Sequence, residues 1–265
     1  MPYAVNGIVH IYYEVEGEGP PVMMLHGAFQ DSQIFREYGY VDALKNDYQV
    51  ILRDDRAVGK SNRQYPPEEQ TPENNTKDLI SVMDELGIEN AHLFGFSGGG
   101  QCALLTAVMF PERVKSLIIF GMSPKFGGSQ ANNQIAQLAQ TGPEALIKFM
   151  ESNKGEPLSE VAKARVYATD FKAFGYAISH PKDLHLVEAL PDMKMPVLVL
   201  VGEGDWFFNP ETLREEYSSL PDLTFVAVPG VGHTPENSEL MLPHIKEFLA
   251  RVENKGAINN GYRKV

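Results

Sequence analysis

The stretch Leu93-Phe94-Gly95-Phe96-Ser97-Gly98-Gly99-Gly100 runs from an apolar segment into a serine fenced by glycines and on into a helical pattern. A turn that crowded needs neighbours without side chains, because only glycine lets a strand and a helix approach closely while the serine holds a strained backbone. Gly95-Phe96-Ser97-Gly98-Gly99 fits G-x-S-x-G, the turn that lifts a nucleophilic hydroxyl clear of a sheet. The same five letters also describe an ordinary glycine-rich corner between strand and helix. The rest of the chain decides between the two.

Outward from Ser97, short apolar runs alternate with helical patterns. Tyr3-Ala4-Val5 and the run from Ile8 to Val15 are joined by Asn6-Gly7, a strong hairpin signal. Gly17-Glu18-Gly19-Pro20 then turns the chain into Val22-Met23-Met24-Leu25. That run is wholly apolar, as expected of a strand buried on both faces of a mostly parallel sheet. Further strands are predicted at Val50-Ile51-Leu52, from Ala91 to Phe96, from Ser116 to Phe120, from Pro196 to Val201 and from Leu223 to Val228. Between them, helices are predicted within 30–46, from Thr71 to Leu86 with Gly87 as the C-terminal stop, and at 98–110, 209–219 and 236–252. This alternation predicts an α/β fold with a mostly parallel, doubly wound sheet of about eight strands.

The texture changes between Ser123 and Met195. No buried-strand run occurs there, and helical pieces rich in Ala, Gln and Lys recur near 130–140, 143–153 and 158–179. The expected organisation is a core of 1–122 and 196–253, a helical cap or lid at 123–195 and a flexible tail at 254–265.

A chain of 265 residues can bury one sizeable core. Its 23 basic and 35 acidic residues give a net charge of −12, a field that repels phosphate and argues against nucleic-acid and anionic-membrane partners. Met1-Pro2-Tyr3-Ala4-Val5-Asn6-Gly7 has neither the basic nor the apolar segment of a signal peptide, and no apolar run approaches the ~18 residues of a membrane span. Cys102, the single cysteine, forms no internal disulfide and excludes a multi-cysteine metal site. The expectation is a cytoplasmic protein with neither metal nor cofactor, acting on a small molecule; composition is silent on oligomeric state.

A serine hydroxyl is a poor nucleophile at neutral pH. It needs a base, normally histidine, which in turn needs a carboxylate to fix its tautomer. In open α/β sheets the site forms beyond the carboxyl ends of the strands. The strand ending at Val201 leads into Gly202-Glu203-Gly204-Asp205, and the strand ending at Val228 leads into Pro229-Gly230-Val231-Gly232-His233. Ser97, Asp205 and His233 thus follow three predicted strands, in the Ser…Asp/Glu…His chain order. Glu203 competes with Asp205 by position. The stretch after the preceding strand, Gly121-Met122-Ser123-Pro124, offers no carboxylate. His92, His180, His185 and His244 have no motif around them, so packing or surface roles are expected.

With these residues in place, the chain resembles the α/β-hydrolase superfamily over nearly its whole length, in its serine esterase and enol-lactonase-like branch. His26-Gly27-Ala28 resembles the family's His-Gly-x oxyanion turn, and Pro111-Glu112-Arg113-Val114 the phrase before its sixth strand. Asp54-Asp55-Arg56-Ala57-Val58-Gly59-Lys60-Ser61 resembles its Asp-x-Arg-Gly-x-Gly-x-Ser turn, with Ala57 in place of glycine. The resemblance implies catalysis by Ser97, Asp205 and His233, an oxyanion hole made by the backbone N–H groups of Ala28 and Gly98, and a structural role for His26. Relatives that act on epoxides or haloalkanes carry aspartate at the elbow, so Ser97 argues against both.

The implied activity is cleavage of a small to medium, largely apolar carboxylic ester or lactone. Carbon–carbon bond hydrolases, perhydrolases, acyltransferases and a small-molecule receptor share the scaffold and remain open. Aromatic residues crowd the expected mouth: Phe29 and Phe35, Phe96, and Trp206-Phe207-Phe208. Phe29, Phe96, Trp206 and Phe207 are candidate pocket residues, with core packing as the alternative for each. No arginine pair suggests a clamp for carboxylate or phosphate.

Overall fold

The computed structural model describes residues 2–62, 66–125, 130–179, 184 and 186–261. Eight strands form one sheet: β1 (Tyr3–Asn6), β2 (Val9–Glu16), β3 (Pro21–Leu25), β4 (Gln49–Arg53), β5 (Ala91–Phe96), β6 (Val114–Phe120), β7 (Val197–Gly202) and β8 (Leu223–Val228). Their order across the sheet is β1-β2-β4-β3-β5-β6-β7-β8. β2 runs antiparallel to both of its neighbours, and every other pair is parallel. The mostly parallel sheet is the one the sequence predicts.

Helices cover both faces. They are α1 (Ile34–Glu37), α2 (Tyr40–Leu44), α3 (Pro72–Glu85), α4 (Gly98–Met109), α5 (Gln130–Thr141), α6 (Pro143–Lys154), α7 (Glu160–Ala168), α8 (Phe171–Ser179), α9 (Leu186–Ala189), α10 (Pro210–Glu216) and α11 (Ser238–Gly261). Successive strand residues point to opposite faces and therefore feed two cores. Met23, Leu25, Leu93, Leu117 and Ile119 pack with α3 and α4, whereas Val22, Met24, Phe94, Ile118 and Leu200 pack with α2 and α11. Burial on both faces explains why β7, and β5 apart from His92, read as apolar runs.

Several boundaries differ from the sequence reading, each for a local reason. The helix expected within 30–46 is two short ones, broken at Gly39 with φ 79°. The single helix expected at 158–179 is α7 and α8, because Asp170 Oδ1 accepts the N–H groups of Lys172 and Ala173 and so starts a new helix. The helix backbone of α11 continues to Gly261 through most of the segment expected as a flexible tail, and 262–265 lie outside the described residues. His180 and His185 also lie outside them. No helix among the described residues is long and apolar enough to cross a membrane.

The turn after β4 explains the departure at Ala57. This residue holds φ 63°, in the left-handed region where glycine carries no steric penalty. The turn is fixed by its neighbours. Asp54 Oδ1 accepts from Ser32 N (3.0 Å) and Ser32 Oγ (2.6 Å), Asp54 Oδ2 accepts from Lys60 N (2.9 Å), and Arg56 is held in a buried pair by Asp78.

His92 lies at the opposite end of the sheet from these turns. Its Nε2 lies 2.7 Å from Glu253 Oε1 and its Nδ1 2.7 Å from Ser116 Oγ, so the neutral ring donates to the carboxylate and accepts from the hydroxyl. Burial pushes its pKa down to about 4 from the ordinary 6.5, against the pull of Glu253. The unfolded chain therefore takes up a proton on His92 near 6.5, while the folded chain does so only near 4. Between these values the unfolded state binds more protons, and stability falls as pH is lowered. From pH 7 to pH 5 this group removes on the order of 1–2 kcal/mol from the unfolding free energy. Urea titrations at both pH values are expected to show a smaller fall in His92→Gln; equal slopes would contradict the assignment.

Candidate active site

The turn between β5 and α4 is crowded as its glycines suggest. Ser97 holds φ 49° and ψ −116°, its N–H donates to Phe120 O (2.9 Å), and its carbonyl accepts from Gly100 N (2.8 Å). A Cβ on Gly99 would fall 2.0 Å from Leu25 O, so α4 could not otherwise lie so close to β3. Gly98 differs from its neighbours: a Cβ there would meet only Ala28 N, at an ordinary 3.6 Å. Its place in the motif is not explained by packing.

Ser97, His233 and Asp205 form one hydrogen-bonded chain. His233 Nε2 lies 3.2 Å from Ser97 Oγ, and His233 Nδ1 lies 2.9 Å from Asp205 Oδ2. The carboxylate can only accept, so Nδ1 carries the proton and Nε2 is left as a base facing the hydroxyl. Asp205 is itself held by two main-chain donors, because its Oδ1 accepts from Phe207 N (2.8 Å) and Phe208 N (3.0 Å). Its side chain is fully buried, whereas Glu203, the competitor by position, is exposed.

The loop after β3 faces this chain. His26 Nδ1 donates to Gly27 O (2.8 Å) and His26 Nε2 accepts from Asp55 N (3.1 Å), so the buried, neutral ring ties the loop after β3 to the turn after β4. Next to it, the N–H groups of Ala28 and Gly98 have no acceptor among the described residues. Phe29 follows with φ 63°. Its ring stacks on Phe171 (6.0 Å) and meets Phe174 (4.5 Å), both on α8.

A cavity of about 380 Å³ opens over Ser97. Of the candidate pocket residues, Phe29 lines it, but Phe96, Trp206 and Phe207 do not. Their rings surround the imidazole of His233 instead, with centroids at 5.3, 5.6 and 4.8 Å. The reason is position: each is a close chain neighbour of Ser97 or Asp205, so the serine–histidine–aspartate chain itself draws them beneath the mouth. They shield the Asp205–His233 pair from water.

The structure also brings to the site residues that the sequence reading did not place there. Gln30 and Gln101 line the cavity beside the two motifs, and their adjacency to Ala28 and Gly98 was a usable signal. Arg165 of α7 reaches the wall and pairs with Asp31 (3.0 Å) and Glu37 (2.9 Å). No motif marks that arginine, and its partners lie far away in sequence. Gly121 stands against the buried pair: a Cβ there would lie 3.2 Å from both Asp205 Oδ2 and His233 Nδ1, at φ 58°. Among the described residues, no cluster of His, Cys, Asp and Glu could hold a metal ion.

Comparison with known proteins places the fold in a family. Residues 20–172 match the alpha/beta hydrolase fold family. A 2-hydroxy-6-oxononadienedioate/2-hydroxy-6-oxononatrienedioate hydrolase of Comamonas testosteroni is 35% identical over 249 residues, covering 84% of each chain. The 2-hydroxy-6-oxo-6-phenylhexa-2,4-dienoate hydrolase of the same organism is 35% identical over 162 residues, or 59% of this chain. Against that relative and one from Azorhizobium caulinodans, the chain spans about half the length of the curated protein (54% and 56%). Among solved structures, a thermophilic esterase from Thermogutta terrifontis superposes with a TM-score of 0.81 at 25% identity, covering 94% of this chain and 97% of that one. The chain belongs to the α/β hydrolase family.

Gly121 provides a test of the site geometry. In Gly121→Ala the added methyl must displace His233 or Asp205, and a shift of that kind is expected to lower kcat/KM for p-nitrophenyl butyrate roughly ten- to hundredfold. A thermal melt checks that the variant is folded. Unchanged turnover would show that the pair is not held against this glycine.

Proposed function

We propose that the chain is a serine hydrolase that cleaves a neutral carboxylic ester or lactone through an acyl-enzyme on Ser97. The observation that carries this reading is the unbroken chain from Ser97 Oγ through His233 to buried Asp205, beside two unengaged N–H groups. As Ser97 Oγ bonds to the acyl carbon, its proton passes to His233 Nε2, and Asp205 stabilises the charged imidazole. The carbonyl oxygen becomes an oxyanion that accepts from Ala28 N–H and Gly98 N–H. Collapse breaks the bond to the leaving alcohol, which takes the proton from Nε2. Water, deprotonated by the same nitrogen, then attacks the acyl-enzyme, releasing the acid and restoring Ser97. No step draws on a metal or cofactor.

Two relatives are named as hydrolases of oxo-dienoates, compounds that carry carboxylates. The charge around this cavity favours a neutral ester instead. Its two arginines are already engaged, Arg56 with Asp78 (2.6 Å) and Arg165 with Asp31 and Glu37.

The segment 123–195 is read here as a lid over a core of 1–122 and 196–253. Support comes from Ile135, Ala173, Phe174 and Ile178, which wall the cavity, and from Phe29, which packs into the small core of Leu146, Ile147, Leu158 and Val166. Because Phe29 follows Ala28 and keeps a positive φ, its aromatic partners on α8 help to aim the Ala28 N–H.

Two expected outcomes follow. Ser97→Ala abolishes turnover of short p-nitrophenyl esters and labelling by a fluorophosphonate probe; activity surviving the substitution would sink the hydrolase reading. Phe174→Ala lowers kcat about tenfold, the scale of one imperfect oxyanion contact. A change confined to KM would make Phe174 a cavity wall and nothing more.

A further inference from the structure

The cavity wall divides by chemistry. One side, built from the inserted helices with Met122 and Phe29, is apolar: Ile135, Ala173, Phe174 and Ile178. The other side is polar, and its ionised groups are all engaged. Asp55 pairs with Arg53 and accepts from Asn75 Nδ2 (3.1 Å). Arg56 Nε and NH2 donate to Asp78 (2.6 and 2.7 Å), and its NH1 donates to Glu69 O (2.8 Å). Arg165 pairs with Asp31 and Glu37, while Asp170 receives two main-chain N–H groups of α8.

Two neutral side chains on the polar wall stand apart. Gln30 and Gln101 line the cavity and have no hydrogen-bond partner among the described residues, and Gln30 Oε1 is buried. A carboxamide oxygen buried without a donor destabilises a fold, so its retention calls for a reason outside folding. Position supplies one. Gln30 comes two residues after Ala28, and Gln101 sits on the first turn of α4, three residues after Gly98. The two glutamines therefore line the same cavity as, and lie close in the chain to, the two residues whose N–H groups are assigned to the oxyanion.

The geometry points to Gln30 and Gln101 as a recognition pair for an uncharged polar group, a carboxamide or hydroxyl, close to the scissile carbonyl of the substrate. This rests on the reading of Ser97 as the nucleophile of an ester or lactone hydrolase. A glutamine side chain offers one acceptor and two donors, and a carboxamide or hydroxyl on the substrate can meet both kinds. Interchanging the oxygen and nitrogen of either glutamine leaves that match intact. A carboxylate could use only the amide donors of the two glutamines, would leave both carboxamide oxygens without a donor, and would find no unengaged cation on the wall. The apolar remainder of the substrate lies against the inserted helices. The proposed substrate class is thus an amphipathic, uncharged ester or lactone carrying an amide or hydroxyl, rather than a plain alkyl ester or an oxo-acid.

The test uses the whole chain and three matched methyl esters followed by pH-stat: methyl succinamate, monomethyl succinate and methyl 4-methylpentanoate, each with homologues lengthened by one methylene. These present a carboxamide, a carboxylate and an isosteric alkyl group at the same distance. For the unsubstituted protein, kcat/KM for the carboxamide is expected to exceed that for the carboxylate at least tenfold. Gln30→Leu and Gln101→Leu are each expected to lower carboxamide turnover about five- to tenfold, the usual effect of one lost hydrogen bond. Both should lower alkyl-ester turnover by a clearly smaller factor than carboxamide turnover, with thermal melts confirming the fold. Equal losses on carboxamide and alkyl esters, or a preference for the carboxylate, would overturn the recognition pair while Ser97-dependent turnover of the alkyl ester keeps the hydrolase reading. Turnover of none of the esters would overturn both.

Discussion

The close approach of α4 to β3 and β5 is the contact on which the rest of the site depends. It brings Ser97 to the edge of the sheet with its hydroxyl turned to His233, and it is possible only because Gly95 and Gly99 have no side chains: a Cβ on either would sit 2.3 Å or less from a main-chain oxygen. The strained backbone at Ser97 is then fixed from a third strand, since its N–H is taken by Phe120 O at the end of β6. Three neighbouring parallel strands therefore define where the hydroxyl stands. Two further strands of the parallel set, β7 and β8, deliver Asp205 and His233 to the same edge. Rigid elements carry the geometry, and the loops need only short spans to complete it.

A second set of contacts joins the loops to one another. Neutral His26 receives a hydrogen bond from Asp55 N, while Asp54 holds Ser32 from the other side. The loop after β3, which carries Ala28, is thus clamped by the turn after β4 at two points. Buried polar groups of this kind are stable when each finds a partner and costly when one is lost. Arg53 and Arg56 are both fully or almost fully buried and each is paired with an aspartate and a main-chain carbonyl, although Arg53 Nε is left without a partner among the described residues. The sequence turn that begins at Asp54 is therefore a support for the neighbouring loop.

Much of this was legible in the chain. Short apolar runs mark the six parallel strands, and a hairpin signal marks β1 and β2, so all eight appear within a residue or two of their ends. The order of Ser97, Asp205 and His233 was legible because each follows such a run, and the structure brings the three into one hydrogen-bonded chain. What was hidden depends on distances across the fold. Phe96, Trp206 and Phe207 looked like pocket residues because they adjoin the motif residues, yet adjacency in sequence placed them under His233 rather than over Ser97. Arg165 was invisible for the converse reason: Asp31 and Glu37 give it meaning, and only the folding of α7 over α1 joins them. Asp170 had a local signal, a side-chain cap, that the helical periodicity around it outweighed.

Three non-glycine residues among those described hold a positive φ, and they show how strain is distributed. Phe29, Ala57 and Ser97 follow β3, β4 and β5, which lie side by side in the sheet. A left-handed backbone at a residue with a Cβ costs roughly 1–2 kcal/mol, so each position needs support from its surroundings. Ser97 has Phe120 O, and Ala57 donates to Asn62 O (3.2 Å) within a turn held by Asp54. Both supports belong to the core and persist whatever the inserted helices do. Phe29 alone of the three draws its side-chain packing from those helices, through Phe171 and Phe174. The loop that carries Ala28 is therefore clamped by the core on one side and by the inserted segment on the other. The helices between β6 and β7 thus pack against this loop through Phe29 as well as walling the cavity.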